Sequence, residues 1–144
     1  MKMRILRACL PALACTTMLA LAVPSMAADV NLKADLKGAS EVPPVDTKGT
    51  GSVTATFDAA SKKLSWKGNV SGLSGPATAA HFHSGEVGKN GGVVVPIAGA
   101  DKGTFEGSAT LTDEQAGELM AGKWYVNVHT AANKGGEIRG KVTK

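Results

Sequence analysis

Apolar and polar residues alternate along most of the chain after residue 28, and this period of two constrains the fold more than any other feature. The clearest run spans residues 30–37, where Val, Leu, Ala and Leu alternate with Asn, Lys, Asp and Lys. Because successive side chains of a β-strand point to opposite faces, such a pattern predicts a strand buried on one face. Comparable runs predict further strands at residues 49–57, 64–70, 77–83, 93–97, 102–111, 123–130 and 137–142.

Only one stretch indicates a helix. Residues 112–115 read Thr-Asp-Glu-Gln, which is a capping box, and a short run from Ala116 to Met120 follows before Gly122. The run allows about two turns, so we interpret it as a connection between strands. The sequence therefore predicts an all-β chain: a single Greek-key β-sandwich or barrel of about eight antiparallel strands with one short helical connection.

Residues 1–27 have the three parts of a bacterial export signal. A basic start is followed by an apolar stretch over residues 5–23 and by small residues before a cut after Ala27. A membrane anchor would need roughly 20 uninterrupted apolar residues, and Pro11 interrupts this stretch. We therefore expect a signal peptide at 1–27, a mature domain at 28–144 and a periplasmic or secreted location.

Removing the signal peptide changes the composition. Both cysteines, Cys9 and Cys15, leave with it, so the mature domain has no disulfide and must be stabilised by packing, strand pairing or a metal. Three of the 16 Lys and Arg residues also leave, so 13 basic residues face 12 acidic ones. This balance gives no reason to expect a nucleic-acid partner or a membrane surface for the mature domain.

The three histidines of the chain fall where they can meet. In His81-Phe82-His83 the two imidazoles share one face of a strand while Phe82 turns to the core. In the later strand, apolar residues at 124, 126 and 128 form the core face, so Asn127 and His129 take the opposite face. All three histidines are thus predicted on faces turned away from the core.

Three imidazoles on one surface suit a metal ion, because imidazole is largely deprotonated near neutral pH. Nitrogen donors without thiolate fit Cu(II), zinc or nickel, and the affinity order favours copper. Asn127, one strand period from His129, and Glu86, the nearest carboxylate to the His-x-His pair, are candidates for orienting a ligand ring. The residues alone leave open that the histidines are ordinary surface residues and that Glu86 is a solvated loop residue.

Several local motifs resemble the CHRD domain, the module named after chordin. The resemblance extends over nearly all of the mature chain, from the Ala-Ser-Glu-Val-Pro-Pro segment at 39–44 to the Gly-Glu-Ile-Arg-Gly segment at 136–140. Between them lie the remaining matching motifs, at residues 80–91, 93–95, 122–130 and 133. A β-barrel or sandwich is the fold that this resemblance implies.

The pattern is also similar to a shortened copper/zinc superoxide dismutase. In that enzyme a His-x-His strand and a late Val-His strand hold copper outside a Greek-key barrel, and an arginine guides the anionic substrate. The resemblance implies that His81, His83 and His129 bind one copper ion, that Arg139 is a catalytic anion guide, and that superoxide is the substrate. A fourth histidine and a mature cysteine are both missing, so we expect no structural zinc.

Three functions follow as alternatives. The first is an exported copper-only enzyme resembling superoxide dismutase, and the second is a copper-binding protein that serves buffering or delivery without turnover. The third is a structural or protein-interaction CHRD module. The histidines distinguish the third from the other two, and Arg139 distinguishes the first from the second, because a passive copper binder needs no cation beside the metal.

Overall fold

The computed structural model describes residues 28–144, and the predicted signal peptide lies outside the described residues. All eight predicted strands and the predicted helix are confirmed, with ends that shift by a few residues at most. None of the described helices is long and apolar enough to cross a membrane. The elements are β1 Val30–Lys37, β2 Thr50–Asp58, β3 Lys63–Ser71, β4 Ala77–Ser84, β5 Gly92–Pro96, β6 Thr104–Thr110, α1 Asp113–Met120, β7 Trp124–Thr130 and β8 Ile138–Lys141.

The eight strands form one antiparallel sheet in the order β5-β4-β7-β8-β1-β2-β3-β6. The connections from β3 to β4 and from β6 to β7 join strands that are not neighbours in the sheet, as in Greek-key topologies. The sheet curls into a nearly closed barrel. Trp66 of β3 and Phe82 of β4 show this directly, because their ring centroids lie 5.2 Å apart although four strands separate β4 from β3 in the sheet order.

The interior of the barrel is apolar, as the alternation predicts. Buried side chains recur at alternate positions in β1, β2 and β3, and the two tryptophans, Trp66 and Trp124, are 7% and 1% exposed. Burying these side chains is the main stabilising contribution in a domain without disulfides. The largest fully buried apolar side chains are Trp124, Phe57, Phe82, Leu64, Ile138, Val126 and Val128.

The helix begins with the predicted capping box. Thr112 Oγ1 accepts a hydrogen bond from the backbone N–H of Gln115 at 3.2 Å, and Gln115 Oε1 accepts one from the backbone N–H of Thr112 at 2.9 Å. Gly122 has a positive φ of 71°, a conformation that glycine adopts without strain, and it leads the chain into β7. The helix therefore serves as the connection that the sequence predicts.

Strand β7 is buried on both faces, which the alternation does not predict. It lies between β4 and β8, and of its seven residues only His129 is partly exposed. Tyr125 and Asn127 are on the outer face, yet they are 6% and 2% exposed. The segment at residues 38–45 and the loop at residues 85–91 cover this face, and Asn90 Nδ2 joins the two by donating to Val42 O at 3.1 Å. The covered face of β4, β7 and β8 carries the candidate site.

Candidate metal centre

The three histidines come together on the outer face of β4 and β7. His81 pairs with Asn127 across the two strands, and His129 pairs with Ala79, so His129 lies diagonally next to His81. The ring centroids are 5.1 Å apart for His81 and His129, 5.5 Å for His81 and His83, and 6.4 Å for His83 and His129. One ring nitrogen of each residue lies within 4.8 Å of the others. The sheet register therefore brings the third histidine to the His-x-His pair.

Backbone carbonyls determine which nitrogen faces the cluster in two of the rings. His83 Nδ1 lies 3.0 Å from Gly91 O, and His129 Nδ1 lies 2.9 Å from Lys134 O. A carbonyl oxygen only accepts, so each Nδ1 is assigned the proton and each Nε2 keeps its lone pair. His83 Nε2 is buried and has no hydrogen-bond partner among residues 28–144. Such an orphaned, unprotonated nitrogen fits a metal ligand.

The third ring presents the other nitrogen. His81 Nδ1 lies 3.3 Å from His129 Nε2. Because His129 Nε2 is the acceptor in this assignment, His81 Nδ1 donates the hydrogen bond. A metal ion bound between the rings would replace that proton. The cluster therefore offers Nδ1 of His81 and Nε2 of His83 and His129.

The electrostatic environment keeps two of the rings neutral. Burial lowers the pKa of His81 below its ordinary value, and His129 and His83 lower it further by charge repulsion. Burial also lowers the pKa of His83, although the hydrogen bond to Gly91 acts to raise it. Both rings are therefore neutral at neutral pH, the charge state in which imidazole binds a metal.

Solvent reaches the cluster from one side. His83 is 7% exposed, whereas His81 and His129 are half-buried. His83 thus lies on the predicted outer face but is buried there, because the loop at residues 85–91 covers it. Three nitrogen donors with one open side suit an ion that keeps a position for water or a small ligand.

Arg139 lies on the predicted face of β8, but it is buried rather than open to solvent, with 5% exposure. Its Nε and Nη2 atoms lie 3.0 and 2.9 Å from Glu41 Oε2, forming a buried ion pair. Nη1 donates to Lys89 O at 3.2 Å and Nη2 to Asn90 Oδ1 at 2.5 Å. The guanidinium carbon lies 4.2 Å from the ring centroid of Tyr125. The hydrogen bonds of Arg139 are thus directed to a loop and to a carboxylate.

Tyr125 lies between Arg139 and the histidines. Its ring stacks on His83, with centroids 4.8 Å apart and planes 6° from parallel. Because β4 and β8 flank β7 on opposite sides, His83 and Arg139 lie against opposite faces of the Tyr125 ring. The sequence shows Tyr125 on the same face as the histidines, but it carries no signal that the aromatic ring separates the guanidinium from them.

The two residues predicted to orient the ligand rings lie in different environments. Asn127 is buried between the histidines and Arg139, and its side chain lies close enough to His83 to raise that ring's pKa. No hydrogen bond of good geometry joins them, and Asn127 Oδ1 has no partner among residues 28–144. Glu86 is exposed and forms an ion pair with Lys89 at 3.1 Å. The structure therefore brings Asn127, and not Glu86, to the cluster.

One feature near the site is not predicted from the sequence, a buried carboxylate. Glu137 is 0% exposed, and its Oε1 accepts from Thr47 Oγ1 at 2.6 Å and from the backbone N–H of Ser74 at 2.9 Å. Its Oε2 accepts from Ser74 Oγ at 2.5 Å, Thr130 Oγ1 at 2.6 Å and Asn133 Nδ2 at 3.2 Å. Burial acts to raise the pKa of Glu137, but the hydrogen bonds lower it to about 2. These donors come from separate segments, so no local motif reveals them.

Comparison with known proteins identifies the domain. The family model of the CHRD domain matches residues 32–142, a span that contains all three histidines as well as Glu137 and Arg139. Searches of curated proteins and of solved structures find no match. The resemblance to copper/zinc superoxide dismutase is therefore carried by residue pattern alone. Since the match extends over most of the chain, the protein belongs to the CHRD domain family.

Proposed function

We propose that this protein binds one copper ion at His81, His83 and His129 and that it disproportionates superoxide there. The observation that carries the proposal is the set of three ring nitrogens within 4.8 Å of one another. Two of the rings are oriented by backbone carbonyls, and His83 Nε2 is buried without a partner in the described chain. A site formed in advance in this way binds a metal with little reorganisation.

The donor set supports copper over other ions. Imidazole nitrogens bind copper, zinc and nickel, and copper binds most tightly of the three in the general affinity order. The described cluster contains no carboxylate or thiolate. Calcium and magnesium prefer oxygen donors and are therefore disfavoured.

Copper in this site would supply a one-electron couple, which oxidises one superoxide to dioxygen and reduces a second, with two protons, to hydrogen peroxide. The chain itself leaves one side of the cluster open to solvent, past the half-buried rings of His81 and His129. A small anion and protons from water can therefore reach the site. The predicted export signal supports a periplasmic or secreted location for this activity.

The environment of Arg139 favours a second candidate, a copper-binding protein without turnover. Glu41 pairs with Arg139 at 2.9 Å and offsets its charge, and Tyr125 separates the guanidinium from His83. The attraction of an anion by this side chain is therefore weaker than for an unpaired cation. The role of Arg139 as an anion guide stays a prediction, and buffering or delivery of copper is the alternative that its ion pair supports.

The test is to add one equivalent of Cu(II) to the purified exported protein, record its EPR spectrum and then measure superoxide removal. We expect nitrogen hyperfine structure from three imidazoles and catalytic removal of superoxide. His83→Gln should abolish both results. Arg139→Gln should lower the rate and its dependence on ionic strength, whereas Lys141→Gln, which removes an exposed cation of the same strand, should have a smaller effect.

The outcomes separate the three functions. A protein that binds no copper at micromolar concentration overturns both copper functions and leaves the interaction module. Tight binding without superoxide removal leaves the passive copper protein. Equal effects of Arg139→Gln and Lys141→Gln would exclude a specific guiding role for Arg139.

A further inference from the structure

We propose that two residues of the Gly-Glu-Ile-Arg-Gly segment, Glu137 and Arg139, position the metal ligands through separate loops. Arg139 holds the loop whose Gly91 carbonyl orients His83. Glu137 holds the loop whose Lys134 carbonyl orients His129. The inference deepens the proposed metal site and rests on it, but it assigns to these residues a role that needs neither contact with the metal nor attraction of a substrate.

The starting observation is that the two rings are oriented by loop carbonyls rather than by side chains. Gly91 lies in the loop between β4 and β5, and Lys134 in the loop between β7 and β8. Loops are generally more mobile than the strands that they connect. A carbonyl in a loop can therefore orient an imidazole only if other contacts hold that loop against the sheet.

Arg139 supplies such contacts for the first loop. Its guanidinium donates to Lys89 O at 3.2 Å and to Asn90 Oδ1 at 2.5 Å. Lys89 and Asn90 are the two residues directly before Gly91. The backbone N–H of Gly91 donates to the hydroxyl of Tyr125 at 2.9 Å, and Arg139 lies over that same ring. Contacts from Arg139 to the two preceding residues and from Tyr125 to Gly91 N thus fix the position of the Gly91 carbonyl.

Glu41 completes this arrangement by fixing the guanidinium. Two donors of Arg139 bind the same carboxylate oxygen of Glu41, and both side chains are at least nine-tenths buried. Separating a buried ion pair of this kind is costly, because either partner alone would leave an uncompensated charge. The arginine is therefore a rigid support for the loop and has little freedom to move toward a substrate.

Glu137 supplies the contacts for the second loop. Its Oε2 accepts from Thr130 Oγ1, in the last residue of β7, and from Asn133 Nδ2, in the loop that follows. Asn133 N donates to Thr130 O at 3.1 Å, and Gly136 N donates to Asn133 O at 3.0 Å. Lys134 lies between these anchored positions, so its carbonyl is held toward His129.

The spacing of the two residues explains how one segment serves both loops. Glu137 and Arg139 are two positions apart, so they share the outer face, while Ile138 between them is 0% exposed in the core. Ile138 pairs with Val128 and Arg139 with Asn127, which places the segment beside the strand of His129. The segment is thus buried on both faces and has neighbouring strands β7 and β1.

The test uses long-range ¹H–¹⁵N NMR of the metal-free protein, which reports the protonated nitrogen of each ring. In the wild type we expect protonated Nδ1 in His83 and His129. Glu137→Gln replaces a carboxylate oxygen with an NH₂ group that faces the hydrogen-bond donors of Glu137, so it should loosen the second loop. His129 should then become a mixture of tautomers while His83 stays unchanged. Arg139→Gln should affect His83 and leave His129 unchanged. Each variant should also weaken Cu(II) binding by roughly 10- to 100-fold.

Milder variants keep the test decisive if either protein fails to fold. Thr47→Val removes one hydrogen bond from Glu137, and Asn90→Ala removes one from Arg139, and each should shift the tautomers of the same ring by a smaller amount. The deciding result is a crossed pattern, in which the Glu137 variants affect only His129 and the Arg139 variants affect only His83. General destabilisation would instead affect both rings together. Equal effects on both rings, or no effect on either, overturn the inference. If the crossed pattern appears but the wild type binds no copper, the positioning role stands and the proposed function fails.

Discussion

At the scale of single residues, the candidate site depends on which nitrogen of each imidazole carries the proton. Gly91 O and Lys134 O each accept from an Nδ1 atom, which leaves Nε2 of His83 and His129 free to face the cluster. An imidazole with a fixed tautomer binds a metal without first releasing a proton from the binding nitrogen. The two carbonyls therefore determine which ring nitrogens are available to a metal ion.

The sequence predicts the faces of these residues but not their exposure. A period of two places His81, His83 and Arg139 on the outer side of their strands, and the structure agrees. Arg139 is nevertheless buried, because Glu41, 98 positions earlier in the chain, lies against it. A contact between such distant residues leaves no local pattern in the sequence. For the same reason the hydrogen bonds of Glu137 could not be predicted.

Glu137 gives a prediction about pH. Its pKa in the folded state is about 2, below the ordinary value of 4.5, so the unfolded state takes up the proton first as the pH falls. The stabilising contribution is therefore complete above about pH 4.5 and is lost as the pH falls through 2. A shift of this size corresponds to a free energy on the order of 3 kcal/mol. The difference in unfolding free energy between the wild type and Glu137→Gln should shrink by about that amount from pH 6 to pH 2.

Urea unfolding at a series of pH values measures this difference. Glu106→Gln is the matched control, because Glu106 is exposed on β6, and it should leave the pH dependence of stability close to that of the wild type. A difference for Glu137→Gln that is the same at pH 6 and pH 2 would contradict an ionised, hydrogen-bonded Glu137.

At the scale of elements, alternation predicts the strands well because each strand buries one face in the barrel. It predicts less for β7, whose outer face is covered by loops. Of the two covering segments, the loop at residues 85–91 is rich in glycine, and the sequence shows it only as a turn. Their close packing on the sheet depends on long-range contacts, such as the one between Asn90 and Val42.

The loop between β4 and β5 gives the prediction at this scale. A methyl group on Gly91 would collide with the backbone carbonyl of Ser84, whereas one on the neighbouring Gly92 would meet nothing within 4 Å. Gly91→Ala should therefore force the loop to move, lower the unfolding free energy by about 1–3 kcal/mol and disturb the hydrogen bond to His83. Gly92→Ala should change the stability by less than about 0.5 kcal/mol.

Chemical denaturation of the two variants measures the stability, and the tautomer of His83 reports the hydrogen bond. Equal losses of stability would show that the glycines matter for chain flexibility rather than for space. A Gly91→Ala variant with wild-type stability and an unchanged His83 tautomer would show that the loop does not hold the ring as described.

At the scale of the whole molecule, the sequence predicts an all-β sandwich or barrel of about eight antiparallel strands, and the structure confirms it. Composition and strand period were sufficient to predict this fold class, because buried apolar residues alternate with polar residues in most strands. The order of the strands in the sheet could not be derived from alternation, since period and turn signals do not specify which strands pair. That order nevertheless determines the site, because it puts β4 beside β7 and brings His129 to the other two histidines.

A metal site that bridges two strands should stabilise the entire barrel. An ion that binds only the folded state, present at 100 times its dissociation constant, adds about 2.7 kcal/mol to the unfolding free energy. For a domain of this size that corresponds to a rise in melting temperature of roughly 10 °C. Calorimetry with and without Cu(II) should show this rise, and a chelator should reverse it. The rise should disappear in His83→Gln and persist in Lys141→Gln, because Lys141 is exposed and outside the cluster. An equal rise in His83→Gln would show that copper stabilises the barrel from some other position.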